Sequence, residues 1–222
     1  MTLPDDKIVT LEKMDEFFNL RADLYDNHMI NDLGLGEFYE IIADCFNTPI
    51  KRLLGLGCGT GLEFKLLFER YPDMEVTGID LSDSMLHKMK EKYPDKSIRL
   101  ICGSYFDVDF EGLYDHVLST YSFHHFCESS KLELYKKVYN ALSQEGVFVF
   151  GDYIASTLEQ QQELIAENEK RRREQGVNDD EFYHFDIPFT VETETRLMKA
   201  AGFSNIELVR QWEKTAIIIA RA

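Results

Sequence analysis

Polar and apolar positions along this chain change rhythm three times. Over residues 10–30, Leu11, Met14, Phe17, Phe18, Leu20 and Leu24 recur at helical spacing and predict one amphipathic helix. Arg21, Tyr25 and His28 follow at i, i+4 and i+7, so they share a face if that helix persists. Asn31-Asp32-Leu33-Gly34 punctuates it, a second helix is expected over 35–46, and Pro49 closes the arm. Neither helix has a strand partner in the pattern, so residues 1–49 are expected to form a helical lid.

The rhythm then alternates. Short apolar runs at 52–56, 75–79, 97–102, 114–119 and 147–150 read as strands, with helical patterns at 61–71, 83–93 and 129–142 between them. Ser82 stands where a helix N-cap belongs. Such alternation implies βαβ units, right-handed crossovers and a parallel sheet. After Tyr153 the order breaks again. A polar helix over 156–175 and an aromatic, acidic loop over 176–189 precede a helix at 191–201. Two strand-like runs, 205–211 and 214–220, are separated only by Trp212 and Glu213 and read as an antiparallel hairpin at the sheet edge. The expectation is one α/β domain, doubly wound and Rossmann-like. It has a mostly parallel seven-stranded sheet, an antiparallel C-terminal hairpin and an N-terminal helical lid. The divisions are 1–49 for the lid, 50–153 for a ligand-binding core, 154–189 for an insertion over the active site, and 190–222 for the last helix and hairpin.

Length and charge narrow the function. A chain of 222 residues is most economically one domain. Its 40 acidic residues against 24 basic give a formal charge of −16, which repels phosphate backbones and argues against a nucleic-acid partner. Arg171-Arg172-Arg173 is flanked by Glu167, Glu169 and Glu174 and reads as a solvated helix face. Met1-Thr2-Leu3-Pro4-Asp5-Asp6 lacks the pattern of a signal peptide, and no apolar run approaches the roughly 20 residues that span a bilayer. Cysteines at 45, 58, 102 and 127 have neither metal-site nor disulfide-framework spacing, so a reduced, cytoplasmic protein is expected.

The strand at 52–56 runs into three glycines at alternate positions, Gly57, Gly59 and Gly61, and then into an amphipathic segment. A strand, tight glycine turn and helix start bring backbone N–H groups close to a ligand. Asp80 lies 19 positions after Gly61, at the tip of the next strand, where a carboxylate accepts ribose hydroxyls. A dinucleotide fingerprint would place its last glycine at Leu62. NAD and S-adenosylmethionine (SAM) both use such an acid.

Five stretches decide between them. Leu53-Leu54-Gly55-Leu56-Gly57-Cys58-Gly59-Thr60-Gly61 resembles the first motif of the class I SAM-dependent methyltransferases. Val76-Thr77-Gly78-Ile79-Asp80-Leu81-Ser82 with Met85-Leu86 is similar to their second-strand motif. Cys102-Gly103-Ser104-Tyr105-Phe106-Asp107 falls where their adenine-binding turn belongs. Asp115 to Tyr121, and Leu142-Ser143-Gln144-Glu145-Gly146 with the strand after it, resemble their fourth and fifth strands. The resemblance covers roughly 50–220. It implies SAM as cofactor and S-adenosylhomocysteine (SAH) as product. Gly57, Cys58, Gly59 and Gly61 would approach the methionine part. Asp80 would hold the ribose, with Leu81, Met85, Ser104 and Tyr105 around the adenine and Thr120 and Tyr121 beside the sulphonium. Two positions depart from the family: Gly55 and Ser104 stand where it has acids. Arg21 and Tyr25 are then candidates to close over the methionine end.

The expected activity is methyl transfer to a small molecule, an EC 2.1.1 reaction driven mainly by alignment. Its rivals are a SAM-binding protein without transferase activity and an enzyme using SAM for other chemistry. His124, His125 and Asp152, after the fourth and fifth strands, are the candidate catalytic residues. Of the adjacent histidines at most one is expected to face the pocket. Phe182, Tyr183, His184, Phe185 and Asp186 would either line the acceptor site or cover the core. His28, His124, His125 and His184 lack ligand spacing, so no metal is expected. The acceptor, the methylated atom and the oligomeric state, monomer or homodimer, stay open.

Overall fold

In the computed structural model, which describes residues 10–178 and 181–222, seven strands join in one sheet. They are β1 (Arg52–Leu56), β2 (Glu75–Asp80), β3 (Ile98–Cys102), β4 (Tyr114–Thr120), β5 (Leu142–Tyr153), β6 (Asn205–Gln211) and β7 (Thr215–Arg221). Their order is β3-β2-β1-β4-β5-β7-β6. The first five are parallel, whereas β7 runs antiparallel between β5 and β6. The hairpin turn is closed by Trp212 N donating to Thr215 O at 2.8 Å. Residues 1–6, expected to carry no signal peptide, lie outside the described residues.

Helices cover both faces of the sheet: α1 (Met14–Arg21), α2 (Tyr25–Asn27), α3 (Gly36–Asp44), α4 (Phe64–Arg70), α5 (Asp83–Lys92), α6 (Glu128–Ala141), α7 (Leu158–Gln175) and α8 (Val191–Ala201). Successive strand residues point to opposite faces, so the apolar strands feed two cores. On one face, Tyr135, Val138, Leu197 and Met198 of α6 and α8 pack against Leu54, Leu56, Phe148 and Phe150. On the other, Ile42, Phe64, Leu67 and Met89 of α3, α4 and α5 pack against Leu53, Val149 and Ile217. Ser82 caps α5, its hydroxyl accepting from Met85 N at 3.1 Å. Among the described residues no helix is long and apolar enough to cross a membrane.

The N-terminal arm differs from its expectation in two ways. The single helix over 10–30 is broken: α1 ends at Arg21, the chain turns, and α2 leads into one π-helical turn, His28–Asp32. Leu20 and Leu24, read as part of the buried stripe, are therefore 78% and 73% exposed. Second, α3 belongs to the core rather than to a lid. Ile42 and Ala43 are fully enclosed, and Gly151 lets α3 approach the sheet, since a Cβ there would stand 2.6 Å from Phe38 Cζ.

What covers the sheet's ligand-binding end is α1 with α2. Asn19 Oδ1 accepts the Ser82 hydroxyl at 2.7 Å and Ser84 N at 3.2 Å. Lys88 reaches Asp23 at 2.7 Å and Lys92 reaches Asp26 at 2.5 Å, while Thr60 of the glycine turn donates to Asp26. On the other side the arm bridges the inserted loop: Met14 N donates to Phe182 O at 3.1 Å and His184 N to Glu12 O at 2.9 Å. Two covers from distant parts of the chain thus meet each other.

Candidate active site

Strand order reverses between β1 and β4, and an open α/β sheet binds its ligands at the C-terminal ends of such a pair. The glycine turn follows β1, with Gly57, Gly59 and Gly61 at φ of 65°, 49° and 73°, left-handed conformations that favour glycine. A side chain at Gly57 would run into Ser122, whereas one at Gly59 would meet nothing within 4 Å. Asp80 ties the turn to β2: its Oδ2 accepts Gly59 N and its Oδ1 accepts Ser82 N, both at 2.8 Å. Burial pushes its carboxyl up, against the backbone N–H groups that hold the charged form. The remaining lone pairs of this carboxylate suit a pair of ribose hydroxyls.

A cavity of about 40 Å³ lies over the turn, bounded by Gly57, Gly59, Asp80, Leu81, Met85, Tyr105, Tyr121, Tyr25 and Ser122, with Met14 and Phe18 of α1 as its roof. That holds about one water, whose share of liquid volume is roughly 30 Å³. A nucleoside requires the roof to lift. The chemistry of the walls fits one: an open glycine turn, an acid for hydroxyls and apolar side chains for a base.

Four other expected cofactor residues, Cys58, Gly61, Ser104 and Thr120, do not line this cavity. Cys58 is buried and turns its thiol toward Gly78, so only its backbone faces the turn. Gly61 backs onto Met89 and Tyr93, and its carbonyl accepts the Tyr93 hydroxyl at 2.7 Å. The Ser104 hydroxyl accepts Phe106 N at 3.2 Å, and Thr120 is buried within β4 opposite Gly151. Ser122, placed by the sequence near the cofactor mouth, lines it with its hydroxyl 2.9 Å from that of Tyr105, whereas sequence reasoning missed the roof residues Met14 and Phe18.

Gly55 has a packing explanation. A Cβ there would lie 2.7 Å from Phe64 Cζ and 3.3 Å from Cys58 Cβ. The fully buried Phe64 ring occupies the space that the family's acid would need. Beside it, Glu63 is 6% exposed and burial pushes its pKa up to about 8. Its charge is felt by both Tyr25 and Asp80. Its one sequence signal is an acid two residues after the turn.

A second cavity, of about 510 Å³, adjoins the first through Phe18, Tyr25, Tyr121 and His125. Arg21, Tyr25 and His28 all line it, so the expected shared face survives the break between α1 and α2. Tyr121 stands between the cavities with φ of 47°, a left-handed conformation costing a bulky residue roughly 1–3 kcal/mol. Strain of this kind persists where surrounding structure fixes a side chain.

His124, His125, His184 and Asp186 share the far wall. Both adjacent histidines face the cavity, contrary to expectation, because they sit on a 3-10 turn (Phe123–His125) that brings their ring centroids within 3.9 Å. Asp152 does not face it. Its Oδ2 accepts Phe123 N at 2.8 Å and His124 N at 3.1 Å, and its Oδ1 accepts Tyr153 N at 2.8 Å and stands 2.5 Å from His124 Nδ1. It is 1% exposed, so it positions His124 rather than meeting an acceptor. Burial alone would lower the His124 pKa, but Asp152 and Asp186 on either side outweigh it and raise it to about 9. Burial, with His124 beside it, lowers that of His125.

The inserted loop divides by role. Phe182 covers the core, stacked on Phe106 at 5.5 Å, and Phe185 lies under Arg171. His184 stacks on Phe17 at 3.5 Å, and with Asp186 it lines the larger cavity.

Comparison with known proteins agrees with this geometry. The Methyltransferase domain family profile matches residues 53–146. The chain is 29% identical over 153 residues to a malonyl-[acyl-carrier protein] O-methyltransferase from Priestia megaterium, a match covering 64% of this chain and 52% of that one. It thus spans about half the length of that relative. It is 25% identical over 219 residues to a carboxy-S-adenosyl-L-methionine synthase from Campylobacter concisus, covering 91% and 92%. The solved complex of DhpI with SAH superposes with a TM-score of 0.70 at 16% identity, covering 93% of each chain.

Proposed function

We propose that the chain is a class I SAM-dependent methyltransferase and that it moves a methyl group from SAM to a small-molecule acceptor held in the larger cavity. Two contiguous cavities meeting at Tyr121 carry this reading: one walled for a nucleoside, the other large enough for a small acceptor. When bound, SAM supplies a methyl group on a positively charged sulphur. The chain's own residues bind and orient. Asp80 takes the ribose, Leu81, Met85 and Tyr105 flank the base, and Gly57 and Gly59 let the backbone approach the methionine part. With Phe64 excluding an acid at Gly55, Tyr25 and the buried Glu63 replace it at the amino end, and Arg21 waits at the rim.

Closure of α1 and the inserted loop excludes water and fixes the acceptor against Tyr121. His124 is held by Asp152 with Nε2 toward the cavity, and it orients the acceptor's polar end. Flanked by two carboxylates it is cationic near neutrality, so it meets the acceptor as a donor. The protein acts in the cytoplasm on a small molecule rather than on nucleic acid. Its four free cysteines and formal charge of −16 support that reading.

A second reading, an enzyme that modifies SAM itself, is favoured by the near full-length likeness to a carboxy-S-adenosyl-L-methionine synthase. Mass spectrometry of the nucleoside product separates the two. SAH formed together with a methylated acceptor supports the first, and a nucleoside heavier than SAM supports the second. SAM left unconsumed across a broad acceptor panel would overturn both.

A further inference from the structure

The histidine cluster has contacts longer than charge-assisted hydrogen bonds usually are. Asp186 Oδ1 stands 3.4 Å from His124 Nε2, 3.3 Å from His125 Nδ1 and 3.9 Å from His184 Nε2. Charge-assisted N–H···O bonds are typically about 2.7–2.9 Å. Two ligands of one ion with bonds of roughly 2.0–2.2 Å stand about 3.0–3.5 Å apart, the edge of an octahedron or a tetrahedron. One atom from each of His124, His125 and Asp186 lies within 4.8 Å of the others. The first two contacts thus have the spacing of metal ligands.

Two further observations point the same way. Metal-binding histidines usually give their other ring nitrogen to a carboxylate, which fixes tautomer and ring plane. His124 does this through Nδ1 and Asp152, and Asp152 is itself held by three backbone N–H groups. His125 is nine-tenths buried, with Nδ1 3.3 Å from Phe185 O and no hydrogen-bond partner for Nε2 among the described residues, so ligation through Nδ1 would exchange that long contact for the ion and move the ring proton to Nε2. Finally, Asp186 is 47% exposed and the group borders the 510 Å³ cavity, which leaves an entry path and open coordination positions.

We propose that His124 Nε2, His125 Nδ1 and Asp186 Oδ1 bind one divalent first-row transition-metal ion at the wall of the acceptor cavity, the ion displacing the Nε2 proton of the otherwise cationic His124 to solvent. Two imidazoles and one carboxylate suit zinc, manganese, iron or cobalt better than magnesium or calcium. Three protein ligands with an open side are the pattern of a site that also takes a small ligand. On the reading of this cavity as the acceptor site, the acceptor carries a coordinating oxygen, such as a carboxylate or a hydroxyl beside one. The metal site itself does not depend on that reading. Spacing along the chain gave no sign of it, because Asp186 comes from the inserted loop.

The test is titration of EDTA-treated protein with Co²⁺, followed by its visible absorption bands, and with Zn²⁺ by calorimetry. Wild type is expected to bind one equivalent of either ion. Asp186→Asn and His125→Gln should each weaken binding at least tenfold, and Asp152→Asn by about 10–100-fold. Circular dichroism checks that the variants fold, and half-exposed Asp186 gives a variant that tests the site without disturbing the core. No binding to wild type, or unchanged affinity in Asp186→Asn, would overturn the proposal. Methyl transfer undiminished in a protein that binds neither ion removes the site and leaves the proposed function standing. Metal binding as predicted, with no acceptor methylated, removes the acceptor reading and leaves the site.

Discussion

Phe64 Cζ lies 2.7 Å from where a Cβ on Gly55 would begin. An aromatic ring from α4 therefore fills the space that an acid at this position of β1 would need. Restoring the acid is expected to harm the protein. Gly55→Asp overpacks the core and buries a charge, so it should destabilise by on the order of 1–3 kcal/mol or more without tightening SAM binding. Urea denaturation with SAM titration checks this, and an unchanged midpoint with tighter binding would contradict it.

Glu63 makes stability depend on pH. Its folded pKa of about 8 lies above the ordinary value of 4.5, so the native state binds more protons than the unfolded state between those values. Stability then falls as pH rises from about 4.5 through about 8, by up to a few kcal/mol at roughly 1.4 kcal/mol per pKa unit. Glu63→Gln should flatten that slope and raise the melting temperature at pH 8. A pH series of thermal melts decides, and identical slopes in the two proteins would refute the assignment.

Lys131 and Glu194 form a fully buried pair between α6 and α8, with Tyr135 donating to Glu194 Oε2 at 2.6 Å and the Lys131 ammonium 4.1 Å from the Phe189 ring centroid. Removing one partner strands the other's charge. Lys131→Met or Glu194→Leu alone should cost about 3–5 kcal/mol, and the double variant markedly less than the sum. Denaturant curves for the three proteins measure the coupling; strict additivity would show that there is none.

The latch of α1 and α2 should govern exchange more than stability. Asp26 accepts from Thr60 and pairs with Lys92, both at a partly exposed surface, where such contacts contribute no more than about 1 kcal/mol. Asp26→Ala is expected to speed SAM dissociation several-fold while shifting the melting temperature little. Stopped-flow displacement reads the rate, and an unchanged rate would mean that the roof opens elsewhere.

Much of this architecture was legible because it is local. The β1 run, the glycine turn, Asp80, the Ser82 cap and the closing hairpin are each set by neighbours a few residues apart. What was hidden depends on contacts across the chain. The α1–α2 break follows from docking onto α5 and the inserted loop, and an unbroken helical stripe concealed it. Helix α3 reads as amphipathic whether it lies on the sheet or over it, and only Gly151 shows which. The histidine pair was visible, but Asp186, 61 residues beyond His125, is what makes it a cluster.

The central claim is a SAM site at the glycine turn, held by Asp80. Calorimetric titration of wild type and Asp80→Ala with SAM, SAH and NAD tests it most directly. One equivalent of SAM or SAH should bind wild type, at least about tenfold more weakly to the variant, and NAD should bind neither protein. Binding of NAD without SAM or SAH, or SAM affinity unchanged by Asp80→Ala, would contradict the account.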